Sequence, residues 1–392
     1  PLTNHKKGKW NTLFLASLPP LGYATFWLHK RPVSENQSKN AEALTHQPVS
    51  VFSDGTGMEN DFVSITFSET ENGIVQLYDK RLGHQLLSGP AAVGLVIDET
   101  ESDTWGHNLK EYRDVIGKFK EGRLKVLESG PLRGCIRLTT FWNHSYLEQD
   151  FYLLYDRPDI EVKVRIFWQE RHRMLKIEFP FNIEKARSVQ EIPYGFMERP
   201  MDGEEKPIQQ WVDVGNDQCG VSILNDSSYA VDVLDGTVRL TILRGAAYAD
   251  HYGERDDRCE YMDQGESFVR YVLAPHPGNW NSAGTVRKAM ALNTPIQQIY
   301  ETYHRGPLGL KGSGLSVSED NVIATVFKIA EDLDGYILRC YESAGLETTT
   351  KIDLPLIGRS FTAHFTPCQI KTFHIPFDTD KPIRPVNILE MA

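Results

Sequence analysis

The stretch IEVKVRI, residues 160–166, alternates branched apolar side chains with charged ones along its whole length. Successive side chains of a β-strand point to opposite faces, so a two-residue period places one set in a core and the other in water. A helix would need an apolar period close to 3.6 residues, which this stretch does not have. Residues 160–166 therefore predict a strand with one buried face.

Shorter runs of strand-forming residues recur along the chain and are separated by Gly, Asn, Asp and Pro. They are Phe62–Phe67, Leu124–Leu127, Cys135–Phe141, Val221–Leu224, Val238–Leu243, Val269–Leu273, Val322–Phe327 and Tyr336–Tyr341. The best helix candidate, Thr285–Leu292, is short and is followed by Pro295, which would end it. Many strands joined by turns indicate antiparallel sheets packed as sandwiches, so the sequence predicts an all-β fold.

Turn-forming and polar stretches divide the chain into three predicted parts. Residues 1–48 form a strand-bearing lead-in and a polar linker, and the lead-in contains the turn-like stretch LPPLGY at 18–23. Residues 49–305 form a large β-sandwich. The stretch YHRGPLG at 303–309 is typical of a loop, and residues 306–392 form a smaller β-sandwich.

The composition argues against two kinds of partner. The formal net charge is -11 and there is no long Lys/Arg stripe, so a phosphate backbone is not the expected ligand. The longest apolar stretches, such as Thr12–Leu18, are far shorter than the ~20 residues that cross a bilayer. The five cysteines are scattered without close pairs, which is typical of reduced thiols and predicts a cytoplasmic protein. The first residue is Pro1, which indicates a piece of a longer polypeptide.

The usual local signatures of catalysis do not occur in the sequence. It contains no H-E-x-x-H, no close Cys pair, no nucleophile elbow and no glycine-rich phosphate loop. His251 with Glu254, Asp256 and Asp257 is the densest group of metal-ligand types, but a solvated acidic loop is the favoured interpretation. The sequence itself therefore predicts no metal site and no catalytic residue.

Carboxylates and aromatic rings are the remaining candidates for sugar chemistry. A retaining glycosidase needs two carboxylates about 5 Å apart across one sugar. Backbone capping is nevertheless the commoner role for Asp at a strand end or turn. The aspartates at such positions are Asp226, Asp232, Asp250 and Asp263.

Pyranose rings stack on flat aromatic side chains, which makes four tryptophans candidates for sugar contacts. For each of them the favoured alternative is a place at the edge of a sandwich core. They are Trp105, Trp142, Trp211 and Trp280.

Several motifs resemble those of the glycoside hydrolase family 38 α-mannosidases. Residues 191–200 read EIPYGFMERP, similar to the family's I-P-Y-G-x-x-x-R-P stretch before a Trp, here Trp211. Residues 220–229 read GVSILNDSSY and resemble G-x-x-L-L-N-D-x-K-Y, with Ser228 where Lys is usual. Residues 240–250 read LTILRGAAYAD and resemble L-x-L-L-R-x-x-x-Y-P-D, with Ala249 where Pro is common.

The same order of motifs continues on both sides of this region. PHPGNW at 275–280 is similar to the family's P-H-x-G-D-W, and LKIEFP at 175–180 also matches. ENDF at 59–62 and LYDKR at 77–81 resemble the opening of the family's large β domain. The correspondence covers essentially the whole chain. It implies a galactose mutarotase-like β super-sandwich followed by a smaller β-sandwich.

The resemblance also implies a reaction that this chain would not perform alone. In complete members, an Asp nucleophile and a zinc ion cleave α-linked mannose with retention. The ligands and the nucleophile belong to the amino-terminal domain and the helical segment after it, and residues 1–392 contain no counterpart of either. The implied role is an accessory region whose partners are that catalytic domain and a mannose-containing carbohydrate.

The resemblance places five substrate-binding candidates nearest the shared cleft. Arg244 could hold sugar oxygens with its planar fork, but a structural ion pair inside the sandwich is the favoured alternative. The candidates are Asn225, Asp226, Tyr229, Arg244 and Asp250.

Two other functions stay open at this point. The chain could bind sugars independently as a carbohydrate-binding module. It could also act like a mutarotase through a His and a Glu, although fold likeness alone is a weak reason for that hypothesis. An accessory region should expose an apolar patch larger than a few hundred Å² unless a homo-oligomer covers it.

Overall fold

The structure is a computed structural model that describes residues 2–6, 9–28, 45–101, 103–248 and 259–391, with side chains from residue 12 onward. Its regular structure is almost entirely β-strand. Within the described ranges there is one α-helix, α1 (Thr285–Asn293), and a 3₁₀ turn at Pro355–Ile357. The strands pair antiparallel, which confirms the all-β fold that the sequence predicts.

The strands of the first half are β1 Leu2–Lys6, β2 Lys9–Leu13, β3 Tyr23–Ala24, β4 Ser50–Val51, β5 Gly57–Glu59, β6 Val63–Ser68, β7 Gly73–Asp79, β8 His84–Gln85, β9 Val93–Asp98, β10 Val115–Lys118, β11 Lys120–Ser129, β12 Arg133–Trp142, β13 Ser145–Leu154, β14 Ile160–Trp168, β15 Arg173–Pro180 and β16 Arg187–Ile192. Those of the second half are β17 Gly195–Arg199, β18 Lys206–Pro207, β19 Trp211–Gly215, β20 Cys219–Asn225, β21 Ala230–Leu234, β22 Thr237–Arg244, β23 Gly265–Pro277, β24 Lys311–Gly312, β25 Ser316–Val317, β26 Val322–Ile329, β27 Gly335–Glu342, β28 Thr348–Leu354, β29 Arg359–Phe365, β30 Ile370–Pro376 and β31 Arg384–Val386.

The largest sheet has nine strands in the order β11-β12-β13-β14-β23-β20-β19-β16-β17. Its strand β14 contains the alternating stretch 160–166, and its apolar side chains are buried while the charged ones face outward. β14 pairs along its length with β23, from Ile160 opposite Leu273 to Trp168 opposite Gly265. Residues 160–166 therefore form a strand with one buried face, as the two-residue period predicts.

The large sandwich is completed by a six-stranded sheet, β10-β9-β15-β22-β21-β18, and a five-stranded sheet, β4-β5-β6-β7-β8. All three sheets contribute to one apolar core, which includes Ile65, Leu138 and Leu175. The outer face of the six-stranded sheet is also covered, because the loops around Tyr112 and Glu205 lie across it.

The smaller sandwich packs a three-stranded sheet, β25-β28-β29, against a four-stranded sheet, β26-β27-β30-β31. Its own core includes Leu338, Ile352 and Phe365. A separate apolar cluster joins the two sandwiches through α1, with Trp211 on the large side and Ile323 on the small side. The predicted boundaries near residues 48 and 305 stay predictions.

The predicted strands and the predicted helix are all present. The eight shorter runs correspond to β6, β11, β12, β20, β22, β23, β26 and β27, and Thr285–Leu292 corresponds to α1. In the lead-in, β1 pairs with β2, and β3 pairs with β24 beyond the large sandwich. None of the helices in the described residues is long and apolar enough to cross a membrane.

Candidate functional site

Three of the five predicted substrate-binding residues lie in one turn at the end of β20. Asn225 is buried, and its side-chain amide donates to the Gln209 carbonyl oxygen at 3.2 Å. Its side-chain oxygen accepts a hydrogen bond from the Ser228 backbone N–H at 3.1 Å. Both hydrogen bonds of the Asn225 side chain stabilise the turn.

Asp226 follows in the same turn and forms an ion pair with Arg270 of β23. Its carboxylate accepts the Arg270 Nε–H at 2.9 Å and the Arg270 backbone N–H at 3.1 Å. Arg270 also donates to the Leu292 carbonyl oxygen near the end of α1, at 2.6 Å. Tyr229 is 52% exposed, and its hydroxyl donates to the Asp226 carbonyl oxygen at 3.2 Å. Of the three, Tyr229 presents the largest free surface to a ligand.

Arg244 lies apart from this turn, at the end of β22 in the six-stranded sheet. Its guanidinium pairs with the Glu99 carboxylate at 2.5 Å and donates to the Asp103 and Thr104 carbonyl oxygens. Its guanidinium also stacks over the ring of Tyr112, 5.5 Å from the centroid. Burial raises the pKa of Glu99 to about 6, and Arg244 opposes that shift. Arg244 therefore forms the structural ion pair that was the favoured alternative to substrate contact.

The fifth candidate, Asp250, lies outside the described residues. The same holds for the acidic group of His251, Glu254, Asp256 and Asp257. Within the described residues, no group of three His, Cys, Asp or Glu side chains is placed to hold a metal ion.

A buried charge network on the outer face of the six-stranded sheet was not predicted from the sequence. Lys176 of β15 is fully buried and donates to Asp232 of β21 at 2.6 Å and to Glu205. Asp232 also pairs with Arg113, and Thr241 donates to Glu205 at 2.5 Å. The sequence predicts Asp232 at a strand end or turn, whereas it lies in the middle of β21 as an internal ion-pair partner.

Glu191 is a second unpredicted carboxyl in an unusual environment, although it opens the EIPYG motif. Burial raises its pKa to about 7, while the Gln210 backbone N–H, which donates at 2.5 Å, opposes the shift. It lies near Tyr341 of the smaller sandwich, whose own pKa is raised by burial and by Glu191. The ring of Tyr194 meets that of Tyr341 edge-on at 5.5 Å. Glu191 is therefore a titratable group at the contact between the two sandwiches.

The four tryptophan candidates divide into core and surface positions. Trp211 is fully buried and stacks on Trp280 with ring centroids 5.1 Å apart. Trp142 is half-buried, and its ring lies so close to Gly117 that a Cβ there would be 1.9 Å from it. Core packing accounts for these three. Trp105 is exposed on the loop after β9.

A concave region lies elsewhere on the molecule. A cleft of about 610 Å³ is lined by residues that include Glu71, Lys118, Lys120 and Glu178 at one edge of the six-stranded sheet. None of the four described substrate-binding candidates lines it. This cleft is therefore separate from the predicted substrate-binding residues that the structure describes.

Comparison with known proteins assigns the region that carries these residues to a family. Residues 58–252 match the model described as glycosyl hydrolases family 38 C-terminal domain. Alpha-mannosidase 2C1 of Homo sapiens is 26% identical over 374 residues, covering 90% of this chain and 34% of that protein. Alpha-mannosidase G of Dictyostelium discoideum is 24% identical over 85% of this chain and 32% of its own length. The chain thus spans about a third of the length of these curated relatives.

Solved structures show the same fold. An alpha-mannosidase from Enterococcus faecalis V583 superposes with a TM-score of 0.69 at 14% identity, over 83% of this chain and 43% of that one. A glycosyl hydrolase family 38 protein from Enterococcus faecalis superposes with a TM-score of 0.71, over 87% of this chain and 46% of that one. At this level of identity the likeness concerns the fold alone.

Proposed function

The chain belongs to glycosyl hydrolase family 38 as its C-terminal region, and we propose that it is the accessory part of an α-mannosidase. In this proposal it lines one side of the substrate cleft and packs on a catalytic domain of the same enzyme. The observation that supports the proposal most directly is the match of 90% of this chain to an alpha-mannosidase. Retaining hydrolysis of α-mannosides is assigned to the complete enzyme, because the chain spans about a third of that relative.

Tyr229 is the residue that we place against the substrate. Its ring is half exposed and is held by a turn that Asn225 and Asp226 stabilise. A tyrosine offers a flat face to a pyranose and a hydroxyl for hydrogen bonding. In this proposal Asn225 and Asp226 are positioning residues, and Arg244 positions the loop that follows β9. Asp250 stays a candidate for contact with the sugar.

Zinc, in this proposal, belongs to the catalytic domain, where it would orient the sugar and stabilise developing charge. The described residues do not fit a zinc site, since no three ligand-type side chains converge in them. Two of their buried acids are already paired, Asp232 with Lys176 and Asp213 with His276. The contribution of this chain would therefore be shape and contact surface.

Hydrolysis of an aryl α-mannoside tests the proposal. We expect little turnover from the 392-residue chain alone. We expect an increase when it is added to the zinc-loaded catalytic domain of the same enzyme. In the mixture, Tyr229→Ala should raise KM several-fold, whereas Phe268→Ala, which removes an exposed ring from the nine-stranded sheet, should not. Unchanged activity of the catalytic domain on adding this chain would show the proposal to be wrong.

Independent sugar binding is the second candidate, and the exposed ring of Trp105 is the observation in its favour. Titration calorimetry of the isolated chain with mannose or mannobiose separates the two functions. A carbohydrate-binding module would give measurable heat that Trp105→Ala abolishes. An accessory region would give none until the catalytic domain completes the cleft.

We also propose a reducing, cytoplasmic location for the enzyme. Two buried cysteines support it, because Cys135 lies in the large sandwich and Cys340 in the core of the small one, where they cannot pair with each other. Burial raises the pKa of both thiols, which keeps them protonated and unreactive.

A further inference from the structure

Two segments that are far apart in sequence meet next to the smaller sandwich. They are residues 12–28 of the lead-in and residues 294–312, which follow α1. Ala24 pairs with Lys311, and the Thr25 backbone N–H donates to the Leu310 carbonyl oxygen at 2.8 Å. Their backbones touch so closely that a Cβ on Gly22 would lie 2.1 Å from the Gly312 carbonyl oxygen. The two segments therefore form one continuous backbone surface.

Apolar side chains cover this surface. The rings of Phe14 and Phe26 lie 5.2 Å apart, and those of Trp27 and Tyr303 lie 5.3 Å apart. All four rings are exposed, between 39% for Phe14 and 79% for Tyr303. Leu308 and Leu310 of the second segment are also exposed. We call this set the lead-in patch: Phe14, Phe26, Trp27, Tyr303, Leu308 and Leu310.

The lead-in patch is too large and too apolar for an ordinary solvent-facing surface. At ~200 Å² per aromatic side chain, its four rings alone leave on the order of 400 Å² of apolar surface in water. A monomeric protein rarely exposes more than a few hundred Å² in one patch. Residues 12–28 contain no charged residue, whereas residues 294–312 carry Glu301, Arg305 and Lys311. Such a surface fits an apolar protein partner.

Resting on the proposed function, we propose that the lead-in patch is the surface on which the catalytic domain of the same enzyme docks. The chain spans about a third of its relatives, so a large part of the family's enzyme lies beyond these residues.

The position of the patch also suits a docking surface. Leu13, next to Phe14, packs on the core of the large sandwich. The Gly314 backbone N–H, at the start of the smaller sandwich, donates to the Leu21 carbonyl oxygen at 3.0 Å. The lead-in patch is therefore attached to both sandwiches, and a domain bound to it would be linked to both.

Binding of the two parts as separate polypeptides tests the inference. The 392-residue chain is titrated with the purified catalytic domain of the same enzyme, and the dissociation constant is measured. The double variant Tyr303→Ser/Leu308→Ser should bind at least tenfold more weakly. The matched control is Phe268→Ser/Leu333→Ser, which removes side chains that are 68% and 73% exposed elsewhere, and it should bind like the parent chain. Both double variants should keep the parent's circular dichroism spectrum and unfolding temperature.

Each other outcome has a defined meaning. If the parent chain and the patch variant bind the catalytic domain equally well, the patch is not the docking surface, while the proposed function stands. If the parent chain neither binds the catalytic domain nor raises its mannosidase activity, the proposed function fails and the inference with it. If sedimentation shows a dimer of the parent chain that the patch variant abolishes, the occupant is a second copy and the inference is wrong.

Discussion

At the scale of single residues, the family motifs of this chain mark close packing. Gly220 lies against the imidazole of His276, so that a Cβ there would be 2.6 Å from the ring carbon Cε1. The His276 ring is in turn held by the Asp213 carboxylate at 2.8 Å, which also accepts the Ser222 hydroxyl at 2.7 Å. Ser222 reaches Thr285 at the start of α1 at 2.8 Å. The GVSILND and PHPGNW motifs therefore meet in one buried polar cluster.

Gly220→Ala tests this packing. Adding one methyl group forces either the ring or the strand to move, and overpacking of this kind costs about 1–3 kcal/mol. The free energy of unfolding, measured by urea denaturation, should fall by that amount. Gly306→Ala is the control, because nothing lies within 4 Å of a Cβ at that position. Equal stability of the two variants would contradict the packing argument.

The raised pKa of Glu191 predicts that the stability of the chain depends on pH. Its pKa rises from 4.5 to about 7 in the folded state, so the folded chain binds more protons than the unfolded chain between these values. Stability should therefore fall as pH rises from about 4.5 to about 7. At 1.36 kcal/mol per pKa unit the loss is up to about 3 kcal/mol. Glu191→Gln should remove this part of the pH dependence of the free energy of unfolding. If the free energy of unfolding of Glu191→Gln varies with pH in parallel with that of the parent chain, Glu191 is not the source of this pH dependence.

At the scale of elements, the six-stranded sheet differs from the sandwich pattern because charged residues are buried on its outer face. In β15 the residues LKIE continue a strand alternation that would place Lys176 in water. The loops that carry Tyr112, Arg113 and Glu205 cover that face, and they supply the partners of Lys176 and Asp232. The network thus attaches these loops to the sheet.

Lys176→Met should be strongly destabilising. It leaves Asp232 and Glu205 without their shared cation, and breaking a buried ion pair costs about 3–5 kcal/mol. The matched control is Lys163→Met, which removes an exposed lysine from β14 and should change the free energy of unfolding little. Thermal denaturation followed by circular dichroism measures both. A loss no larger than that of the control would show that the network contributes little to stability.

At the scale of the whole molecule, the two sandwiches share an apolar cluster built around α1. Trp211 and Leu224 of the large sandwich, Val286 and Ala289 of α1, and Ile323 of the smaller sandwich belong to it. Contacts of this kind couple the unfolding of the two parts, since separating them would expose core side chains to water. The lead-in adds a second connection through β3 and β24.

Ile323→Ala should weaken this coupling. Truncating a buried isoleucine costs about 2–5 kcal/mol, so we expect the smaller sandwich to unfold at a lower temperature than the large one. Differential scanning calorimetry would then show two transitions where the parent chain shows one. The control is Ile329→Ala at an exposed position of the same strand, and it should keep a single transition. A single, equally stable transition in Ile323→Ala would mean that the sandwiches are not coupled there.

Residue patterns in the sequence were sufficient for nine of the strands, for the helix α1 and for the all-β class, because alternation and turn chemistry act over a few residues. The order of short motifs was sufficient for the family. These patterns were not sufficient for the partners of charged side chains. Lys176 and Asp232 are 56 residues apart and become an ion pair only when β15, β22 and β21 lie side by side. Arg244 and Glu99, and Asp226 and Arg270, likewise meet across the fold. The tertiary structure decided which polar groups are desolvated and which stay exposed, as Tyr229 does, since burial depends on neighbours that are distant in sequence.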